Sequence, residues 1–302
     1  MAIVNFQPRC AAPNVLHPFL QGCSIEVMPR TLAKIDDLSG LMPDGTRIYI
    51  AHIDGTGIDD MVSAARRIHQ AGFTPMPHIP ARLVQDHAQL RQWVRRYQSE
   101  AGVTQALLLA GGIKQPKGMF DNAIQLLDSG AFDGFDRLHV AGHPEGSRDI
   151  DPDGGDTAVM QALAFKQAFA DRSDAKMALV TQFVFDADPV ISWAEGLRTK
   201  GITMPIHVGL AGPAKLQALI KFAVACGVGP SLSVLQKRAR DVTKLLKPFE
   251  PTEIATRLAR YKAAHPNSLI EAAHFFPLGG ITTNATWIAH HRKDQHYDPH
   301  RP

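Results

Sequence analysis

Eight short runs of apolar, largely β-branched residues punctuate the chain, and between them apolar positions recur at helical spacing. The runs are Ser24–Met28, Arg47–Ile53, Phe73–Ile79, Gln105–Ala110, Arg137–Ala141, Met177–Phe185, Met204–Leu210 and Leu269–Phe276. Parallel strands need a crossover between them, usually a helix, so this alternation is what a closed α/β architecture, the (β/α)8 TIM barrel, requires. No linker breaks the alternation before about residue 285. One domain is therefore predicted over residues 1–285, with a His-rich C-terminal tail over 286–302.

Two inter-strand segments show the helical period clearly. In Val84–Glu100, Leu90, Trp93, Val94 and Tyr97 form one apolar stripe opposite Arg91, Arg95 and Arg96, which predicts an amphipathic helix with a solvated basic face. Over Pro213–Cys226, proline in the first turn, Leu216, Leu219, Ile220 and Ala223 on one side and Gly227 at the end predict another helix. Ser147–Asp156 is too rich in Gly and Asp for regular structure and is predicted as a loop after the fifth strand; its carboxylates lack the later glutamate of a calcium loop. His290, His291, His296 and His300 lie in a stretch, Ile288–Pro302, predicted to be flexible rather than metal-binding.

Composition narrows the function classes. The 302 residues are 45% hydrophobic and 20% charged, enough to bury a sizeable core, which argues against disorder. A net charge of +3, spread along the chain, gives no electrostatic case for nucleic acid or an anionic membrane. Cys10, Cys23 and Cys226 are odd in number and lack CxxC spacing, which points away from a disulfide framework or structural zinc and towards a reducing, cytoplasmic setting. No window approaches the roughly 18 apolar residues of a membrane span, and the N-terminus lacks a signal-peptide core.

In such barrels the C-terminal strand ends carry the chemistry, which draws attention to Glu26, His52, His78, Gly111, His143 and Gln182. A carboxylate inside an apolar strand is expensive to bury ionised, so Glu26 is expected to have a raised pKa and to serve as a general acid; the alternative is a pair with a neighbour such as Arg30. His52, His78 and His143 can rim one cavity, but the His-x-His pair of metal-dependent hydrolase barrels is absent, since Ser24-Ile25-Glu26 stands there. Neutral imidazoles that hydrogen-bond an organic ligand are expected instead, and no metal. Glycines at Gly111-Gly112 and in Gly142-His143-Pro144-Glu145-Gly146 let backbone approach a flat ring or a pyrophosphate. Gly55-Thr56-Gly57 lacks the third glycine of a dinucleotide fingerprint.

Taken in order, these segments resemble the flavin-dependent methylenetetrahydrofolate reductases of the single-domain bacterial type. Ser24-Ile-Glu26-Val-Met-Pro29-Arg30-Thr31 is similar to that family's first strand, Pro77-His78 to its third, Ala141-Gly-His143-Pro144-Glu145-Gly146 to its Gly-Tyr-Pro-Glu turn, and Val180-Thr181-Gln182-Phe183 to its sixth strand. The resemblance covers roughly Ser24 to Asn284. It implies a barrel holding FAD at its C-terminal face, used in turn by NADH or NADPH and by a folate. By that likeness Glu26 is the acid that opens the ring of methylenetetrahydrofolate, Gln182 binds the pterin, and Phe222 faces the shared nicotinamide and folate site. His52, His78, Ala110, Gly111, Gly112, His143, Glu145, Gly146 and Ser147 fall where the family touches FAD, and Lys166 where it meets the phosphates. The family also implies a homo-oligomer.

The sequence departs from the pattern at four points. The family's Arg-Gly-Asp is Ala110-Gly111-Gly112, an arginine after the eighth strand aligns with Gly280, a glutamine after the seventh with Ala218, one place from Gln217, and a flavin-stacking tyrosine with His143. Loss of a negative charge near the ring implies a flavin that is easier to reduce, suited to oxidising methyltetrahydrofolate. Two other readings stand beside the reductase: a pterin-binding methyltransferase barrel without flavin, and a non-catalytic flavin or folate binder.

Overall fold

A computed structural model of the chain describes residues 15–225 and 248–292. Its eight strands are β1 (Ser24–Val27), β2 (Arg47–Ile50), β3 (Thr74–Pro80), β4 (Gln105–Leu109), β5 (Arg137–Gly142), β6 (Lys176–Val184), β7 (Ile206–Ala211) and β8 (Ile270–Phe276). They pair in parallel in chain order, and β8 closes on β1 with Ser24 opposite His274, completing the barrel. All eight predicted runs are strands, displaced by at most a few residues at their ends.

Closure follows from the alternation of side chains across each strand. Ile25 and Val27, Ile48 and Ile50, Leu138 and Val140, and Val208 and Leu210 face outward and share one core with the helices. Those helices are α1 (Leu16–Leu20), α2 (Pro29–Leu32), α3 (Ile58–Gln70), α4 (His87–Ala101), α5 (Ala123–Leu127), α6 (Thr157–Ala170), α7 (Ala187–Thr199), α8 (Leu216–Ala225), α9 (Thr252–Ala264) and α10 (Ile281–Arg292). In α4 the stripe Leu90, Trp93, Val94 and Tyr97 is buried as predicted, Asp86 caps the N-terminus through Gln89 N, and Gly102 ends it at φ 60°. The remaining inward positions are a different population: Tyr49, Met76, Leu107 and Val180 form a small separate cluster, and Ser24, His139, His207 and His274 are buried beside them.

Two predicted boundaries change. Helix α8 starts at Leu216 rather than Pro213, because Ala214 first pairs its backbone with Phe249; Cys226 and Gly227 lie outside the described residues. The chain does not leave the barrel at residue 285: α10 runs to Arg292 and buries Trp287 and Ile288, so His290 and His291 are helical. His296 and His300 lie outside the described residues. Ser147–Asp156 is a loop, as predicted, and Asp151 is buried in it, accepting from the N–H groups of Ala158 and Val159 to anchor the start of α6.

Backbone proximity fixes the shape of the mouth. At β6 the register with β7 shifts between Val180 and Phe183, and Thr181 Oγ1 accepts from Gly209 N at 2.8 Å. A Cβ on Gly209 would lie 2.5 Å from the carbonyl oxygens of Thr181 and Gln182, so only glycine fits beside this bulge. Among the described residues no helix is long and apolar enough to cross a membrane.

Candidate active site at the barrel mouth

Glu26 projects from β1 into the mouth with its side chain 19% exposed. Its Oε2 lies 3.3 Å from His78 Nε2 on β3 and 3.7 Å from His274 Nε2 on β8. Burial alone would raise its pKa. The His78 charge and the hydrogen bonds of His274 and His78 outweigh burial and bring the carboxyl down to about 2. The raised pKa expected of Glu26 is therefore corrected: the strand does bury a carboxylate, but imidazoles from two other strands hold it ionised. Arg30 is not the partner, since its guanidinium turns outward to Met28 Sδ. Glu26 is thus a carboxylate set between two imidazoles from β3 and β8.

Below the couple the barrel interior is polar. Ser24 Oγ lies 2.9 Å from His274 Nδ1, and the Tyr49 phenol lies 2.5 Å from His139 Nδ1. His207 Nε2 meets Glu271 Oε2 at 2.8 Å. Burial pushes His139 well below the usual imidazole range and lowers His207 and His274 as well, against the upward pull of Glu271 and Glu26 on the last two. At the floor, Arg47 Nε donates to Gln105 Oε1 at 2.8 Å.

Of the residues predicted around a cofactor, the structure gathers some and turns others aside. His78 faces the site, edge-on to Tyr49. His52 is buried but leans on Trp93 of α4, ring centroids 5.1 Å apart, and bonds Thr56 O through Nε2. Gly111 has φ 104°, a left-handed value that favours glycine, and a Cβ there would meet Pro80 at 3.1 Å. Gly112 is open, since a methyl on its Cα would meet nothing within 4 Å, and Ala110 gives its carbonyl to Arg82 N. Burial, with the Lys166 charge, brings His143 down to about 4, and burial alone brings Lys166 down to about 8. The Lys166 ammonium donates to Ala141 O at 2.8 Å. Glu145 and Ser147 are partly exposed in the turn after β5, with Gly146 at φ 76°. Gln182 is exposed at the mouth end of β6, its Oε1 accepting from Phe183 N. Phe222 on α8 is half-buried against an apolar wall that includes Phe183, Phe185 and Phe249.

Sequence reasoning missed several parts of this site. His274, Tyr49, His139 and His207 sit at alternate, inward positions of runs read only as apolar, and an imidazole or phenol recurring at those positions was the available signal. Arg82 was missed as well. It is buried in a short 3-10 turn, Ala81–Leu83, and holds Asp121 Oδ1 at 2.9 Å, Asp149 Oδ2 at 3.0 Å and Ile113 O at 3.1 Å. That guanidinium joins the chain after β3 to the loops after β4 and β5, and it neutralises one carboxylate of the Asp-rich loop. Phe276, which packs edge-on against both His274 and Phe183, closes the aromatic wall over the couple. Among the described residues no group of three or more His, Cys, Asp or Glu is arranged to hold a metal ion.

No protein-family model matches the chain. Among solved structures the fold is similar to that of a protein from Clostridium thermocellum, described as uncharacterized and as binding two copies of 5-methyl-5,6,7,8-tetrahydrofolic acid. The match has a TM-score of 0.52 at 13% identity and covers 91% of this chain and 96% of that one. At that identity the likeness establishes the shared barrel fold.

Proposed function

We propose that this protein binds a reduced folate across the barrel mouth and interconverts the methylene and methyl states of its one-carbon unit, using FAD and NADH or NADPH. The observation that carries the reading is the Glu26 carboxylate between the His78 and His274 imidazoles, open to the mouth and flanked by the exposed amide of Gln182. An amide offers both a donor and an acceptor to a pterin edge. A carboxylate–imidazole couple can deliver a proton to the nitrogen that leaves when the imidazolidine ring opens, with the C–N electron pair passing to that nitrogen. The folate bound by the Clostridium thermocellum protein supports the ligand class.

The residues after β4 and β5 fit a flavin nucleotide. Gly112 leaves backbone uncovered for a flat ring, His143 stays neutral against it, and the Lys166 ammonium has one protein acceptor, leaving N–H donors for a phosphate. FAD, when bound, supplies hydride transfer between the nicotinamide and the folate. The protein's own contribution is to orient the pterin through Gln182, to cover it with the wall of Phe222 and Phe276, and to set the Glu26 carboxylate with its His78 and His274 imidazoles beside the leaving nitrogen.

Anaerobic titration of the purified protein tests this. Yellow protein whose flavin bleaches with 5-methyltetrahydrofolate, and with NADH or NADPH, supports the reading. Colourless protein that refuses FAD overturns it; methyl transfer to a thiol by such protein would make it a methyltransferase. Flavin or folate bound without turnover would make it a binder. Because Ala110-Gly111-Gly112 carries no carboxylate, the bound flavin is expected to have a higher midpoint potential than in Arg-Gly-Asp reductases, and Gly112→Asp is expected to lower it.

A further inference from the structure

His274 reaches two residues of one strand. Ser24 and Glu26 stand at alternate positions of β1, and the imidazole that β8 places opposite Ser24 meets both. Its Nδ1 lies 2.9 Å from Ser24 Oγ, and its Nε2 lies 3.7 Å from Glu26 Oε2, beyond hydrogen-bond reach but facing the carboxylate. Behind Ser24 the contacts continue to the Tyr49 phenol, and from there to His139 Nδ1 at 2.5 Å. Ser24, Tyr49, His139 and His274 are all wholly buried, and among the described residues His139 Nε2 has no hydrogen-bond partner. Three hydrogen bonds in series therefore end at Glu26 on one side and at an unpartnered ring nitrogen on the other, and their hydrogens can be arranged in only a few ways.

We propose that Tyr49 and Ser24 are positioning residues that fix His274 as a neutral ring with its hydrogen on Nε2, turned to the ionised Glu26 carboxylate. In this arrangement His139 Nδ1–H donates to the Tyr49 oxygen, Tyr49 O–H to Ser24 Oγ, and Ser24 O–H to His274 Nδ1, so that each of the three bonds holds one hydrogen. The bare nitrogen falls at His139 Nε2, and the free N–H falls at His274 Nε2, opposite a negative charge. Reversing the series exchanges the two ends. A bare His274 Nε2 would then turn its lone pair on a carboxylate, and His139 would bury an N–H with no acceptor, the rarer and costlier kind of orphan. An imidazolium at His274 fails at the same far end, because its Nδ1–H again drives the Ser24 and Tyr49 hydrogens towards His139.

The surrounding charges favour the same direction. Besides burial, the groups that act most strongly on His139 are His207, Arg47, Arg137 and His274, all of them basic, and Arg47 and Arg137 act on the Tyr49 phenol as well. A series whose hydrogens all point from His139 to Glu26 sets its negative end near those guanidiniums and its positive end at the carboxylate. His78 is placed differently. It approaches Glu26 from β3 at 3.3 Å with its side chain 10% exposed, and among the described residues no other side chain hydrogen-bonds its ring. The two imidazoles therefore divide their roles: His274, closed from solvent and occupied at Nδ1, orients the carboxylate, and proton exchange with a ligand passes through His78 and Glu26. That division rests on the proposed function; the tautomer of His274 does not.

The test uses the ligand-free protein with 15N-labelled histidine, because nitrogen shifts report which ring nitrogen carries hydrogen; His274→Gln and His139→Gln assign the two rings. Near neutral pH the rings are expected as opposite tautomers, His274 with hydrogen on Nε2 and His139 with hydrogen on Nδ1. Tyr49→Phe removes the hydroxyl on which both depend. His139 Nδ1–H then loses its acceptor, Ser24 is free to accept from His274, and a mixture of Nδ1–H and Nε2–H forms is expected at each ring. Ser24→Ala is expected to release His274 in the same way and serves if Tyr49→Phe does not fold. Hydrogen on His274 Nδ1 in the wild type, as the other neutral tautomer or as an imidazolium, overturns the assignment, and so does a His274 whose signals neither variant moves. Because the signals are read without flavin or folate, a protein that binds neither would remove the proposed function and leave the tautomers to be read as before.

Discussion

On β2, Ile48 and Ile50 face the helices while Arg47 and Tyr49 face the barrel axis, and β5 repeats the contrast with Leu138 and Val140 outside, Arg137 and His139 inside. The outer side chains meet only carbon, so they contribute stability through burial and close packing. The inner ones meet each other through oxygen and nitrogen, so each stabilises the fold only while its partners are present. In many barrels the interior is filled by branched aliphatic side chains. Here part of that filling is traded for groups that hold protons, and the two faces of one strand therefore answer to different requirements.

Substitutions can break or sharpen that contrast. The largest effect is expected at Glu26: Glu26→Gln should lower turnover of methylenetetrahydrofolate on the order of 10²–10⁴-fold while its urea midpoint stays near wild type. A Glu26→Gln protein as active as wild type would place the acid elsewhere. On the outer face, Ile48→Ala, at a side chain 1% exposed, should destabilise by about 2–5 kcal/mol in urea unfolding and leave folate affinity unchanged. Gly209→Ala joins the two faces, since its methyl would press on two carbonyl oxygens; a loss of about 1–3 kcal/mol together with weaker pterin binding through a displaced Gln182 is expected.

Titration gives a smaller and more selective handle. Lys166 is lowered by burial from 10.5 to about 8, so between those values the unfolded chain binds the proton that the folded chain has lost. The folded state consequently gains stability relative to the unfolded state as pH rises through that window, by an amount on the order of 2–3 kcal/mol. Lys166→Met should be the more stable protein at pH 7 and should lose most of that advantage by about pH 10, read as the difference between two urea titrations. His143 acts at the other end: lowered to about 4, it withdraws stability as pH falls from 6.5 towards 4, and His143→Gln should flatten that limb of the stability curve.

The outer face was legible in the sequence because it is periodic. Runs such as Arg47–Ile53 and Met177–Phe185 announce strands by β-branched and apolar density, and Leu90, Trp93, Val94 and Tyr97 announce a helix by spacing. The inner face was legible only where a residue was chemically out of place, as with Glu26. His139, His207 and His274 come together from strands far apart in the chain, and their meaning lies in ring contacts that spacing along one strand does not encode. The pKa of Glu26 runs against the expectation for the same reason: burial is a local property, whereas the imidazoles that reverse its effect arrive from β3 and β8. The extent of α10 was hidden by its composition, since Thr, Asn and His suggest a tail until Trp287 and Ile288 are seen to be buried.

Arg82 has a consequence for how this mouth could be altered. Since one guanidinium ties the turn after β3 to Asp121 and Asp149, the segments that follow three consecutive strands form a single block. Grafting a new loop in place of either carboxylate would leave the buried cation with one counter-charge instead of two, and replacing the arginine's own turn would leave both carboxylates without it. Redesign of ligand preference on that flank therefore has to replace the three segments together, or begin by substituting the arginine with an apolar side chain.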